Sequence, residues 1–250
     1  MRNVKLTIEY DGTNYQGWQV QRTERGNSPT IQLALEQAIP HVVQHAVRVI
    51  GSGRTDSGVH ALGQVANFLT ESAIPPGNLV HAINSYLPHD IAVLHAEDVP
   101  LDFHARYSAK SKTYRYTILN RDARSPLLRH RTWHLRRKLE IDRMIAAARY
   151  LIGEHDFTAF RSKAAEAEDI SSVRTITQLD VAAHDCLIEF TVSANGFLYN
   201  MVRAIVGTLV QVGYCRFQPD DMERILDSAD RSQAGPTAPA KGLCLMHVEY

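Results

Sequence analysis

The succession of elements in this chain predicts an α+β fold: two ferredoxin-like βαββαβ units sharing a central, mostly antiparallel sheet with helices packed on it. Three observations carry that prediction. Apolar residues alternate at a period of two through Val4, Leu6, Ile8 and Tyr10, as on one face of a strand. They then recur at helical spacing through Ile31, Ala34, Leu35 and Ala38. The same order of elements, with one extra helix, returns after Val99 to Arg106.

In the first half, Ser28 and Pro29 read as the start of the first helix. Val47 to Ser52 and Ala61 to Leu69 read as strands flanking a glycine-rich loop. Pro76 to Tyr86 is helical, with Leu79, Ile83 and Leu87 on one side, and Ile91 to Ala96 returns as a strand. In the second half, Lys112 to Asn120 alternates, Ile141 to Ile152 is helical, and Arg174 to His184 pairs with Leu187 to Ala194 across a short turn. Helices over Leu198 to Val212 and Pro219 to Ser228 precede a closing strand, Leu243 to Tyr250. The expected division is residues 1–104, which hold the glycine-rich loop, and residues 105–250; no residue-level repeat accompanies the repeated pattern.

With 250 residues, 44% of them hydrophobic, the chain can bury the core of one large domain or two small ones. No apolar run approaches the roughly 20 residues of a membrane crossing. Met1 to Tyr10 alternates where an export signal would place a basic start and an apolar block. Cys186, Cys215 and Cys244 are widely separated and lack C-x-x-C spacing, which argues against a disulfide framework or a zinc site. A cytoplasmic location is the expectation.

The net charge is zero, with 27 basic and 27 acidic residues, but the charges are unevenly spread. Leu101 to Glu140 carries eleven basic side chains against three acidic ones, a local +8 that leaves −8 elsewhere. Tyr107, Tyr114, Tyr116 and Trp133 lie in the same stretch. Cations with interleaved aromatic rings suit phosphate neutralisation and base stacking, although a solvated basic loop gives the same pattern.

The densest chemical signal is Gly51 to Ala61, which contains Gly53, Arg54, Thr55, Asp56, Gly58 and His60. Its glycines permit positive φ and close backbone approach around one carboxylate. Arg54 and Asp56 could equally brace the turn as an ion pair. A second signal is Asn195 to Gly207, apolar almost all round beyond its Asn-Gly turn yet carrying Arg203. A buried guanidinium requires a partner, and Asp56 is the candidate; an arginine that reaches solvent or pairs elsewhere is the alternative. His41 and His45, like His130 and His134, are four apart, but neither pair has the glutamate of H-E-x-x-H or a third ligand, so no metal site is expected.

These segments together resemble the tRNA pseudouridine synthase A family. The loop from Gly53 to Ala61 is similar to its signature loop, and the likeness runs on through Gly63, Gln64, Val65 and Phe68. Tyr10 to Thr13 with Tyr15, Gly17, Trp18 and Gln19 resembles its first block, with Tyr15 standing where phenylalanine is expected. Lys112 to Tyr116 resembles its tyrosine strand, and Gly196 to Gly207 its arginine helix. Arg231, Ala234, Gly235, Thr237 to Ala240, Gly242 and Leu243 resemble its closing segment.

The resemblance implies the pseudouridine synthase fold and isomerisation of uridine 38, 39 and 40 in the anticodon arm of tRNA. It implies catalysis by Asp56, with Arg54, Tyr114 and Arg203, and no cofactor, because the reaction transfers no net electrons and adds no group. Substrate contacts are expected at Tyr114, Gly53, Thr55 and His60, and phosphate contacts at Arg121, Arg124, Arg129 and Arg131. An ordinary aspartate, with a pKa of about 3.9, is ionised at neutral pH without a helper base. Attack at C1′ of the ribose or at C6 of the uracil both remain open. Tyr114 would stack on the flipped base, although a buried core tyrosine fits the strand pattern as well. A homodimer gripping tRNA across both subunits, and no membrane partner, complete the expectations. Two rivals differ in class. Leu6 to Thr13 approximates the first motif of aspartyl-phosphate phosphatases, but Glu9 occupies the nucleophile's position and no later acidic metal motif follows. A catalytically silent tRNA-binding or folding protein on the same scaffold is the other.

Overall fold

The computed structural model describes residues 1–23, 26–162 and 171–250. The fold is α+β, with mostly antiparallel strands and helices packed on them. The chain divides into two compact units, Met1–Lys110 with Cys244–Tyr250, and Ser111–Leu243.

The first unit runs β1 (Arg2–Tyr10), β2 (Arg22–Thr23), β3 (Gly26–Asn27), α1 (Ile31–Val43), β4 (Ile50–Gly51), β5 (His60–Thr70), α2 (Pro76–Asn84) and β6 (Ile91–Val99). β2 and β3 form a small hairpin of their own. β1 is central, antiparallel to β5 from Arg2↔Thr70 to Tyr10↔Ala61 and to β6 from Asn3↔Val99 to Tyr10↔Ile91. Its alternation has the predicted consequence: Val4, Leu6 and Ile8 are fully buried, as are Ile31, Leu35 and Ile39 of α1 and Leu79 and Ile83 of α2. The first helix begins at Ile31 with Thr30 as its cap, Thr30 Oγ1 accepting from the Leu33 amide at 3.3 Å.

β4 covers only Ala66 and Asn67 on the outer edge of β5. The start of that edge is taken by β12 (Leu243–Glu249), parallel to β5 through Cys244↔His60 and Leu245↔Ala61. The terminal strand, placed by the sequence with residues 105–250, is therefore built into the first unit. Gly63 lets it come close, since a Cβ there would stand 2.5 Å from the Met246 carbonyl oxygen.

The second unit contains β7 (Ser111–Asn120), β8 (Trp133–Leu135), α3 (Ile141–Ala148), β9 (Gly153–Asp156), β10 (Val173–His184), β11 (Leu187–Ala194), α4 (Met201–Gly213) and α5 (Asp221–Ser228). β7, β11, β10 and β9 form an antiparallel ladder, and β8 adds in parallel to the end of β7. Twelve of the thirteen residues of α4 are buried, all but Arg203. This helix meets the segment after α5 backbone to backbone: a Cβ on Gly207 would stand 1.7 Å from the Pro236 carbonyl oxygen. Thr208 Oγ1 accepts from the Gly235 amide at 2.9 Å, and Arg231 holds the far side through the Gly235 carbonyl and the Thr237 hydroxyl at 2.9 and 2.8 Å.

Two helix glycines should therefore respond oppositely to the same methyl group. Gly207→Ala is expected to cost at least about 1–3 kcal/mol by overpacking. Gly77→Ala, with nothing within 4 Å of the new atom, should change stability by no more than about 1 kcal/mol, in the stabilising direction. Urea midpoints decide this, and a wild-type midpoint for Gly207→Ala would contradict the close approach.

Candidate active site

Asp56 lies half-buried in the connection between β4 and β5. The start of this loop is fastened to β5. The Ser52 amide donates to the Val65 carbonyl at 2.7 Å, the Ser52 hydroxyl to Gln64 Oε1 at 2.6 Å, and Gln64 Nε2 to the Gly53 carbonyl at 3.1 Å. The turn closes where the Val59 amide donates to the Asp56 carbonyl at 3.1 Å, with Gly58 at φ +79°.

The segment after β1 then crosses the loop and holds it from the other side. The Trp18 amide donates to the Thr55 carbonyl at 3.0 Å, and the Gly58 amide and Ser57 hydroxyl donate to the Tyr15 carbonyl at 3.3 and 3.2 Å. The Tyr10 and Thr55 hydroxyls are hydrogen-bonded at 2.9 Å. Burial pushes the Tyr10 phenol well above its ordinary value, against the lowering effect of the Thr55 and Gln64 hydrogen bonds, so it remains a neutral brace. Glycine is required at both crossings. A Cβ on Gly12 would fall 1.9 Å from the Val59 carbonyl oxygen, and one on Gly17, at φ +84°, 2.4 Å from that of Thr55. The crossing segment is tied in turn to α1, whose Ile31 and Gln32 amides donate to the Gly17 and Trp18 carbonyls at 3.2 and 3.0 Å.

Of the other loop residues singled out from the sequence, Arg54 is exposed, Gly53 half-buried, and Thr55 and His60 buried at 6% and 4% exposure. His60 Nδ1 lies 3.1 Å from both the Gly12 amide and an Asp11 carboxylate oxygen, which aims the imidazole at the crossing turn.

In the second unit, the turn before α4 and the strand β7 converge. The Phe197 and Tyr114 rings meet edge to face, 5.1 Å apart at 89°, and Tyr114 is 7% exposed. Arg203 is half-buried; its Nε donates to the Ala238 carbonyl and one terminal nitrogen to Asn200 Oδ1, both at 2.7 Å. Asn200 adopts a left-handed conformation, φ 62°, at the helix start. Tyr116, on the same face of β7 as Tyr114, donates to the Pro239 carbonyl at 2.8 Å. Burial drives its phenol far above the ordinary value, with the Arg203 charge pulling the other way.

Arg121, Arg124, Arg129 and Arg131 are all exposed on the connection between β7 and β8. Two of them fold back on their own loop: Arg121 donates to the Ala123 carbonyl at 2.8 Å, and Arg129 to His130 Nε2 and the Pro126 carbonyl at 2.8 and 2.9 Å. The paired histidines point elsewhere. His41 stacks on Tyr86, His45 bonds the Thr70 hydroxyl, and His134 the Arg121 carbonyl. Among the described residues no group of three or more His, Cys, Asp or Glu could hold a metal ion, and no helix is long and apolar enough to cross a membrane.

What sequence reasoning missed is the purpose of the block from Tyr10 to Gln19. It is the clamp on the Asp56 loop. The available signal was Gly12 and Gly17 directly after a strand, a pattern that marks tight backbone approach as readily as the glycines around Asp56.

The model of the tRNA pseudouridine synthase family matches residues 6–108 and 147–250. The tRNA pseudouridine synthase A of Acetivibrio thermocellus is 51% identical over 250 residues, covering 100% of both chains. That of Thermoanaerobacter sp. is 50% identical over 250 residues, again covering 100% of both. The tRNA pseudouridine synthase A 2 of Clostridium tetani is 48% identical over 249 residues, covering 100% of this chain and 99% of its own. These relatives extend through residues 109–146, the stretch outside the family model that holds Tyr114 and the basic loop.

Proposed function

Because the chain belongs to the tRNA pseudouridine synthase family, we propose that it isomerises uridine to pseudouridine at positions 38, 39 and 40 of the tRNA anticodon arm, with the Asp56 carboxylate as nucleophile. The observation that carries this reading is the clamped, half-buried loop around Asp56, held by β5 on one side and by the glycine crossing on the other. Such fixation is what a group that must meet a reacting atom at close range requires.

In the proposed reaction the uridine leaves its stack and Asp56 forms a covalent adduct at C1′ or C6. The N1–C1′ bond breaks, the uracil turns, and C5 bonds to C1′; the bond to Asp56 breaks either as C5 takes its place on C1′ or by elimination from C6, which returns the free carboxylate. C5 then loses its proton while N1 ends with one, so product and substrate are isomers. Tyr114 lies against the uracil, and Arg203 and Arg54 supply positive charge to the reacting carboxylate and the displaced base. Gly53, Thr55 and His60 act by fixing the loop, the first through its bond to Gln64 and the others through Tyr10 and Gly12. Unstacking costs a few kcal/mol, which phosphate contacts from Arg121, Arg124, Arg129 and Arg131 offset.

Asp56→Asn should lower pseudouridine formation on an unmodified tRNA transcript by at least about 10³-fold while tRNA binding persists. Product formed at the wild-type rate would exclude Asp56 as nucleophile, and no product from wild type would favour a silent tRNA binder. Neutralising the four loop arginines together should flatten the log–log dependence of tRNA affinity on salt by about 0.7–0.9 for each phosphate that is no longer neutralised. An unchanged slope would remove that loop from the RNA interface.

A further inference from the structure

The connection after β6, residues 100–110, is anchored by buried polar groups yet ends in an exposed ring. Asn3, 1% exposed, donates through Nδ2 to the Pro100 and Phe103 carbonyls at 3.1 and 2.9 Å. Asn67, 3% exposed, donates to Asn3 Oδ1 at 2.9 Å and accepts from the Ala105 amide at 2.9 Å. The Tyr250 hydroxyl donates to the Ala105 carbonyl at 2.7 Å, so both backbone polar groups of this fully buried alanine are held.

On either side of Ala105 the chain turns outward around His104. Its Nδ1 accepts from the Arg106 and Tyr107 amides at 3.2 and 3.3 Å, which puts the ring proton on Nε2 and fixes the imidazole plane. The His104 amide donates to the Ser108 hydroxyl at 3.1 Å, and the Ser108 amide returns to the His104 carbonyl at 2.9 Å. Tyr107 is left 76% exposed, its ring centre 4.3 Å from the His104 ring at 33° and 5.6 Å from the Arg106 guanidinium carbon.

An exposed tyrosine on a mobile loop needs no explanation. An exposed tyrosine backed by an oriented imidazole, beside a cation, on a turn tied to two buried asparagines is a preorganised contact surface, which loses little freedom when something settles on it. Its chemistry is that of single-stranded RNA recognition: an aromatic face for a base and a guanidinium for the adjoining phosphate.

We propose that Tyr107, with the tilted His104 ring against it and the Arg106 guanidinium over its ring, is a stacking platform for an unpaired base of the substrate tRNA. This rests on the reading of the chain as a tRNA pseudouridine synthase. Stacking is uncharged and phosphate contact is not, so the two parts of the platform separate by their response to salt.

The test measures KM for an unmodified tRNA transcript together with the salt dependence of tRNA affinity. Tyr107→Ala should raise KM roughly tenfold, recoverable at saturating tRNA, with the log–log salt slope of wild type. Tyr107→Trp should restore KM, since a larger ring still stacks, and Arg106→Gln should flatten the slope by about 0.7–0.9. An unchanged KM for Tyr107→Ala in the presence of active wild type overturns the platform alone. A lowered urea midpoint that Trp fails to rescue, or a changed sedimentation coefficient, also overturns it by making the ring structural or part of a contact between copies. No pseudouridine from wild type overturns the parent reading and the platform with it.

Discussion

Where the turn after β1 crosses the Asp56 loop, main chain lies against main chain with no room for a side-chain atom between. Gly12 against Val59 and Gly17 against Thr55 are the two points of closest approach, and Trp18 closes over Gly51, where a Cβ would stand 2.4 Å from the indole. The position of Asp56 depends on this crossing. Its neighbours on both sides give their carbonyls or amides to the crossing segment, which is itself tied to the first turn of α1 and hence to the core. A loop of mostly small and polar residues is thereby tied through main-chain hydrogen bonds to β5, to the crossing segment and, through that segment, to the helix behind it.

The second unit uses the same device for a different side chain. Gly207 and Gly235 bring α4 and the segment through Ala238 into backbone contact, and Arg203, the one residue of α4 not buried, gives its Nε proton to the Ala238 carbonyl. Asn200 holds a second nitrogen of the same guanidinium. Both oxygens are neutral, and together they fix the direction the guanidinium faces. The neighbouring phenol of Tyr116 stays neutral because burial outweighs the pull of that charge.

Much of this was legible in the residues. Alternation gave β1 and β7 their places, and helical spacing gave α1 and α2 theirs, because burial on one face is what those periods encode; α4 read instead as a helix apolar almost all round. Boundaries slipped where local hydrogen bonding took over. Ile141 to Ile152 reads as one helix, but α3 ends at Ala148 and the last turn tightens to a 3₁₀ turn over Arg149–Leu151. The return of β12 to the first unit was invisible, since chain order says nothing about which sheet edge stands open. His60 reads from sequence as a polar residue beside the acid; only the distances to the Gly12 amide and the Asp11 carboxylate show what its ring meets. Asn3 and Asn67 gave no signal at all, because a buried polar network depends on pairings between strands that periodicity does not report.

The most direct test of the crossing is Gly17→Ala, assayed for pseudouridine formation well below the variant's own melting temperature. A Cβ at φ +84° and 2.4 Å from the Thr55 carbonyl must shift the loop, and a displacement of about 1 Å at a group in the role proposed for Asp56 costs on the order of 10²-fold in rate. The expected result is a folded chain that binds tRNA and forms pseudouridine about 10²-fold more slowly. A folded variant with wild-type turnover would contradict the dependence of Asp56 on the crossing.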